Sequence, residues 1–310
     1  MVVFRYEDDF LSALRLTRYA TYVSVFVALV LLVTKAFAWW ETRSVGVLAS
    51  MLDSAVDVVA SMMILFAVHV AQMPADNEHR LGHGKAEPLA SLAQSVFIAG
   101  SALYLVLHAL DRLFFPEAVR EADLGVWVML FSMALTLALV MFQRYVIRKT
   151  HSTAIESDSL HYLSDLGANF AVMVGLLLSA WLWVDATLGL LIGLWIGWQA
   201  VKLAVASGNQ LLDRELPDSM RDEIRDIVLS HPQVRGFNDL RTFRSGPTVF
   251  IQLDLELDDH LSLWMGHQIA EEVTEKLRRN FDNADVMIHQ EPVSFRNKPG
   301  HHQWEVESKS

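Results

Sequence analysis

Two pairs of ionisable residues with the same spacing lie inside apolar stretches of this sequence. Asp53 and Asp57 are four residues apart in one stretch, and His161 and Asp165 repeat that spacing in a later one. A spacing of four places both members of a pair on one face of a helix. An ionisable side chain at bilayer depth costs about 2.5–3.5 kcal/mol or more, so such residues usually mark an ion pathway. Three carboxylates and one imidazole are enough ligands for a tetrahedral divalent metal site.

The ligand types narrow the metal and suggest how its binding is coupled. Carboxylate oxygens and one imidazole nitrogen suit Zn(II), Cd(II), Fe(II) or Mn(II) better than Cu(I). Metal binding requires deprotonated ligands, so protons and metal compete, and His161 is the natural residue for that competition. The sequence has no Gly-x-x-x-x-Gly-Lys-Ser/Thr motif, so direct ATP drive is not expected. The alternatives are buried polar contacts between helices or a proton relay without metal.

Two further clusters contain metal-ligand residue types. Asp76, His79 and His83 lie within one short polar segment and could converge on one ion, with water in the fourth position; the alternative is a plain connecting loop. His267 and the pair His289 and Glu291 could meet at one end of a C-terminal domain. Taken one by one, these three residues are also explained as solvated surface side chains.

The composition indicates a membrane protein with a polar C-terminal part. Hydrophobic residues make up 53% and charged residues 20% of the 310 residues, and the mean hydropathy is +0.29. The net charge of −11 disfavours a nucleic-acid partner, and the lack of cysteine excludes disulfides and thiolate metal sites. Six apolar stretches could each cross a bilayer at about 20 residues per span. They cover residues 17–40, 45–72, 87–114, 124–147, 157–181 and 186–206.

The fifth span is the least apolar of the six. Four polar residues of this span are three or four positions apart: Asp158, His161, Asp165 and Asn169. They therefore share one helical face, which must point inward.

The basic residues predict the orientation of the chain. Lys and Arg concentrate before span one, between spans two and three, and between spans four and five. The positive-inside rule therefore places both termini in the cytoplasm.

The C-terminal part reads as a small α+β domain. We predict a transmembrane domain over 1–208, a cytoplasmic domain over 209–293 and a disordered tail over 294–310, which contains His301 and His302. We predict one helix over about 218–229, capped by Asp218, and a second over about 263–280. The predicted strands are 234–244, 248–257 and 284–288, which gives two helices on one face of a three-stranded sheet.

Four motifs together resemble the cation diffusion facilitator family, and within it the bacterial zinc and iron exporters. They are Asp53-x-x-x-Asp57, His161-x-x-x-Asp165, the loop from Pro74 to Glu87, and the junction Leu211-Leu-Asp213-Arg-Glu-Leu-Pro217. The resemblance covers residues from about 10 to 293. It implies a homodimeric Zn(II)/H⁺ antiporter of the bacterial inner membrane with alternating access and a metallochaperone-like cytoplasmic domain.

The resemblance also assigns roles to individual residues. The family's transport site falls on Asp53, Asp57, His161 and Asp165, and its loop site on Asp76, His79 and His83. Lys85 and Asp213 match the positions of a charged interlock at the dimer centre. These two residues could alternatively be solvated surface charges.

The cytoplasmic site departs from the family pattern. Asn238 and Asp254 stand where family members carry His, and Glu291 stands where they carry Asp. Asn238 is a poor zinc ligand, so we expect one metal on His267, His289 and Glu291, with Asp254 in support, rather than a binuclear cluster.

Other function classes fit the sequence less well. An intramembrane metalloenzyme would also need buried His and Asp, but the sequence has no His-Glu-x-x-His and no nucleophile motif. A passive channel needs ions to leave quickly and would not use a tight tetrahedral site. A structural metal sensor would not need ionisable groups in two spans. An exporter of the same fold that prefers Mn(II) or Fe(II) remains open on the ligand set.

Overall fold

The computed structural model describes residues 3–42, 45–114, 123–177, 182–281 and 283–295. The chain divides into two compact units, of which one consists of residues 12–209 and the other of residues 1–11 together with residues 210–310. Of the predicted disordered tail, 294–310, the first two residues belong to a short 3-10 helix, Val293–Phe295, so the predicted start of the tail is wrong. Residues 296–310, with the two histidines, lie outside the described residues.

Six long helices make up the N-terminal two thirds of the chain. They are α1 (Val3–Thr42), α2 (Val45–Ala71), α3 (Ala86–Phe114), α4 (Asp123–Thr150), α5 (Thr153–Leu177) and α6 (Leu182–Leu211). Each predicted span falls on one helix, except that residues 178–181 of the fifth lie outside the described residues. Helices α2 and α3 match the predicted bounds to within one residue, whereas α1 begins well before residue 17. Hydropathy detects only the apolar part of a helix that continues through polar turns.

Five of the six helices contain a stretch that is long and apolar enough to cross a membrane. These stretches are Leu14–Glu41, Ser50–Ala71, Ala86–Asp111, Trp127–Thr150 and Gly189–Leu211. Large apolar side chains remain exposed on their outer faces, including Phe26, Phe66, Tyr104 and Trp198. An outer surface of this kind suits contact with lipid rather than water. Within the described residues, α5 is not among the five.

Helix α5 occupies the centre of this unit. Its residues pack against α1 and α4 through Tyr162, against α2 and α3 through Ala154, and against α3 and α6 through Leu160. On the far side, α6 approaches α3 closely at Gly193, where a Cβ atom would lie 2.8 Å from Val106. The helix that carries Asp158, His161 and Asp165 is therefore packed against neighbours on several sides, as ionisable residues at bilayer depth require.

The C-terminal unit is an α+β domain with its own core. It contains α7 (Asp218–Leu229), β1 (Gly236–Ser245), β2 (Thr248–Leu257), α8 (Leu263–Asn280) and β3 (Ala284–Pro292). The sheet order is β1-β2-β3, with β1 antiparallel and β3 parallel to β2. Alternate residues of β2, from Val249 to Leu257, face buried residues of both α7 and α8. Both helices thus cover one face, as the alternating pattern of β2 predicts.

The two helices of this domain begin differently. Ser262 caps α8, since its side chain accepts a hydrogen bond from the Met265 backbone N–H. The predicted cap of α7 at Asp218 is wrong: Pro217 occupies the cap position without a side-chain hydrogen bond, and Asp218 is the first helical residue. The Asp218 carboxylate instead accepts a hydrogen bond from Arg221 at 3.3 Å. Proline takes this place because its fixed φ suits the entry to a helix.

Candidate metal centres

Three of the four predicted transport-site ligands meet between α2 and α5. Asp57, His161 and Asp165 place one ligand atom each within 4.8 Å of one another. His161 Nε2 lies 3.1 Å from Asp57 Oδ1 and 3.8 Å from Asp165 Oδ2. Asp57 and His161 are buried, and Asp165 Oδ2 is a buried atom with no hydrogen-bond partner. A buried carboxylate oxygen without a partner is costly, and a divalent cation would satisfy it.

The fourth predicted ligand lies apart from this group. Asp53 is exposed, one helical turn before Asp57, and does not belong to the group of three. The i, i+4 spacing therefore holds along α2, but only Asp57 meets the α5 ligands in this arrangement. The four-ligand site stays a prediction.

A buried polar network lies one turn along α5 from His161. Asp158 is fully buried, and its Oδ2 accepts a hydrogen bond from Gln143 Nε2 at 2.7 Å. The same Gln143 nitrogen donates to Ser24 on α1 at 2.9 Å, and the hydroxyls of Ser61 and Tyr162 lie 2.7 Å apart. Residues of α1, α2, α4 and α5 thus surround one carboxylate beside the candidate site.

The loop between α2 and α3 brings its three predicted ligands together. Asp76, His79 and His83 form a second group with ligand atoms within 4.8 Å. Each imidazole has a nitrogen 3.5 Å from an Asp76 oxygen, and the two rings lie 4.6 Å apart between centroids. His83 Nδ1 is buried without a hydrogen-bond partner. Gly82 adopts φ +80°, a backbone conformation that suits glycine.

Backbone hydrogen bonds favour the ionised form of the Asp76 carboxylate. Its Oδ1 accepts backbone hydrogen bonds from His79 at 2.6 Å and from Glu78 at 2.8 Å. The His79 hydrogen bond is the main reason why the pKa of Asp76 lies below its ordinary value. The carboxylate therefore stays ionised in mildly acidic conditions, which favours cation binding in this loop.

Three of the cytoplasmic candidates, Asp254, His289 and Glu291, lie on the adjacent strands β2 and β3. The cytoplasmic candidates do not form a group of three metal ligands among the described residues. Asp254 pairs with His289 and Glu256 with Glu291 across β2 and β3. His289 Nε2 lies 3.8 Å from Glu291 Oε1, while His267 is an exposed residue of α8. Burial, followed by the charge of Glu291, raises the pKa of Asp254.

Asn238 makes a specific contact in place of the expected histidine. Its amide Nδ2 lies within hydrogen-bond distance of Glu256 at 3.3 Å and Glu291 at 3.4 Å. Both carboxylates are buried. The amide donor thus partners two buried acidic side chains.

Sequence reasoning missed Lys35, Glu87 and Glu256 near these sites. Lys35 and Glu87 could have been found, because ionisable residues in apolar stretches are expensive wherever they occur. Glu256 had no comparable signal, since acidic residues are common at strand ends.

Known proteins match both units. The family model described as the cation efflux transmembrane domain matches residues 21–212, and that of the cation efflux protein cytoplasmic domain matches residues 216–293. The cation-efflux pump FieF of Pectobacterium atrosepticum is 48% identical over 283 residues, which cover 90% of this chain and 94% of that protein. FieF of Yersinia enterocolitica is 47% identical over 294 residues, which cover 94% and 98%.

Solved structures of related proteins match a smaller part. The zinc form of the putative zinc transporter CzrB is 25% identical, with a TM-score of 0.27, and covers 28% of this chain and 99% of that structure. The metal-bound C-terminal domain of the CzcD transporter from Thermotoga maritima is 29% identical, with a TM-score of 0.23 and coverages of 24% and 87%. The two family models cover consecutive parts of the chain, and both relatives match it over nearly their full length. The chain belongs to the cation diffusion facilitator family, and it is a multi-pass membrane transporter for the efflux of divalent metal cations rather than an enzyme.

Proposed function

We propose that this protein exports Zn(II) from the cytoplasm in exchange for protons, by alternating access in a homodimer, with both termini in the cytoplasm. The observation that carries the proposal is the buried group of Asp57, His161 and Asp165, with one carboxylate oxygen left unpartnered. One imidazole and carboxylates suit Zn(II), and Cd(II) or Fe(II) fit the same donors.

Proton exchange follows from the way in which the ligands contact each other. His161 Nε2 already lies 3.1 Å from Asp57 Oδ1, so the proton between them occupies the place that a metal would take. A metal ion that binds both groups must displace that proton, and a proton that returns weakens the metal site. The same buried atoms can therefore hold metal or proton in alternation.

The remaining parts of the proposal rest on other features. Basic residues in the N-terminal segment and in the connections between α2 and α3 and between α4 and α5 support cytoplasmic termini. The family model matched by residues 216–293 supports a cytoplasmic domain that pairs two chains. We propose that Asp53 completes the metal shell as α2 and α5 move during transport.

The test is metal flux and proton release in proteoliposomes that contain the full-length protein. We expect zinc uptake with metal-dependent proton movement in the opposite direction for the wild type. Asp57→Asn and Asp165→Asn should each abolish both, because the shell loses a charged ligand. Asp111→Asn is a matched control, since Asp111 is an exposed residue of α3.

Two outcomes would contradict the proposal. Zinc flux in Asp57→Asn at the rate of the Asp111→Asn control would show that the cluster is not the transport site. Zinc flux without any proton movement in the wild type would disprove the exchange. Asp53→Asn decides the fourth ligand, and we expect it to abolish transport as well.

A further inference from the structure

A buried lysine lies beside the candidate transport site but outside its ligand set. Lys35 belongs to the membrane-spanning part of α1 and is only 8% exposed. Its Nζ donates to Ser54 Oγ at 2.7 Å and to the Ser50 carbonyl oxygen at 3.2 Å, both on α2. Both acceptors are neutral oxygens, and a buried ammonium group needs nearby negative charge as well as hydrogen bonds.

The carboxylates of the site supply that negative charge. Ser54 follows Asp53 directly and lies three residues before Asp57, which places it on the side of α2 that carries Asp57. The Lys35 ammonium group therefore lies beside the turn of α2 that carries Asp53 and Asp57. Interactions between charges are strong in a buried environment of low effective dielectric constant. Lys35 is thus a buried positive charge next to the ligand-bearing part of α2.

We propose that Lys35 is the resident cation of the transport site, whose ammonium charge offsets the carboxylates when no metal is bound and lowers the affinity for a divalent cation. The inference rests on the proposed transport site. Binding that is too tight would slow release, and transport requires an ion to enter and also to leave. A fixed cation beside the ligands weakens the bound state without removing a ligand. Lys35 is therefore a positioning residue and not a metal ligand.

If Lys35 has this role, its replacement should increase the metal affinity of the site, whereas damage to the site would decrease it. Replacement of the charge in Lys35→Met should lower the half-saturation concentration for Zn(II) and Cd(II) transport by at least about fivefold, within the usual range of coupling between two sites. The maximal rate should fall at the same time, because metal release becomes slower. Lys35→Arg keeps the charge and should keep both wild-type values.

Ser54→Ala separates charge from hydrogen bonding. It removes the 2.7 Å hydrogen bond of Lys35 but leaves the charge, so we expect a wild-type half-saturation concentration. If Lys35 only ties α1 to α2, Ser54→Ala and Lys35→Met would both lower the rate without tighter metal binding, and the proposal would be wrong.

Equilibrium binding of Cd(II) to the full-length protein in detergent keeps the test decisive if Lys35→Met does not fold. Lys35→Gln retains a hydrogen-bond donor without the charge and should also bind Cd(II) more tightly. Cd(II) binding to each Lys35 variant, and to the protein with Lys35 intact, is measured in a background with His79→Ala and His83→Ala, which removes the loop site. Unchanged or weaker Cd(II) binding in a folded Lys35→Gln protein would overturn the proposal.

The two proposals fail in different ways. If Asp57→Asn binds and transports metal as the wild type does, the transport site itself is misplaced. If Asp57→Asn loses transport while Lys35→Met and Lys35→Gln leave metal affinity unchanged, the transport site stands and only the role of Lys35 is wrong.

Discussion

At the scale of single residues, one histidine between two carboxylates sets the chemistry of the membrane site. His161 lies within 4 Å of an oxygen from both Asp57 and Asp165. Its nitrogen is the only ligand atom of that group that is not a hard oxygen. Imidazole favours zinc and iron, whereas carboxylates favour harder ions such as Mn(II). The selectivity of the group should therefore depend on this residue.

Replacement of His161 by Asp gives the first prediction at this scale. His161→Asp keeps a metal site but makes all its ligands oxygen, so the preference should shift from Zn(II) towards Mn(II). The pH dependence of uptake should shift too, because the imidazole no longer exchanges a proton. Competition between the two metals in proteoliposomes at several pH values measures both effects. An unchanged metal ranking with an unchanged pH profile would show that His161 is not a ligand.

At the scale of elements, a buried carboxylate connects the start of α3 to the start of α5. Glu87 Oε2 accepts a hydrogen bond from Ser152 Oγ at 2.7 Å, and Ser152 Oγ in turn accepts one from the Ile155 backbone N–H at 3.4 Å. The first N–H groups of a helix have no partner within the helix, and they favour a negative charge. Glu87 thus holds the Ser152 side chain, which accepts a hydrogen bond from the first turn of the helix that carries His161 and Asp165.

Removal of this contact should destabilise the membrane unit. Hydrogen bonds to a charged group contribute about 1.5–3 kcal/mol, so we expect Glu87→Ala to lower the melting temperature of the detergent-solubilised protein. Glu156→Ala is the matched control, because Glu156 is an exposed acidic residue in the first turn of α5. Equal melting temperatures for the two variants would show that the contact contributes little.

At the scale of the whole molecule, two units with different sources of stability share one chain. The membrane unit buries its polar groups in the centre, whereas the cytoplasmic domain has an ordinary apolar core from α7, β2 and α8. Asn238 contacts the acidic pair Glu256 and Glu291 without a metal. We infer that the cytoplasmic domain depends less on bound metal than one lined with histidines.

The isolated cytoplasmic domain, about 209–295, provides a test of that inference. It should bind fewer or weaker zinc ions per chain than the double variant Asn238→His/Asp254→His, which restores imidazole ligands. Weak sites stabilise little at low free zinc, because the gain follows RT ln(1 + [L]/Kd). Calorimetric titration measures the stoichiometry. Two tight zinc ions per wild-type chain, lost in His267→Ala, would show that the substitutions preserve a binuclear site.

The dimer gives the last prediction. We propose that Lys85 and Asp213 form a charged interlock at the dimer centre. The single variants Lys85→Asp and Asp213→Lys should each reduce transport. The combined exchange should restore it, because the opposite charges face each other again. An exposed pair would contribute less than about 1 kcal/mol, and a double variant no better than the single ones would disprove the pairing.

The sequence by itself determined the six long helices of the described residues, the candidate metal-ligand types and the order of strands and helices in the cytoplasmic domain. Apolar length, period and the spacing of four are local properties, and local patterns are enough to predict helices and the residues that share a face. The inward position of α5 also followed, because its ionisable residues could not face lipid.

Only the tertiary structure decided which of these side chains meet. Asp57 rather than Asp53 approaches His161, Lys35 of α1 lies beside α2, and Glu87 of α3 reaches the start of α5. The rotation of each helix about its axis depends on contacts between residues far apart in the chain, and no local spacing encodes them. The same reason explains why Asn238 could be recognised as a poor zinc ligand, whereas its two acidic partners emerged only from the register of three strands.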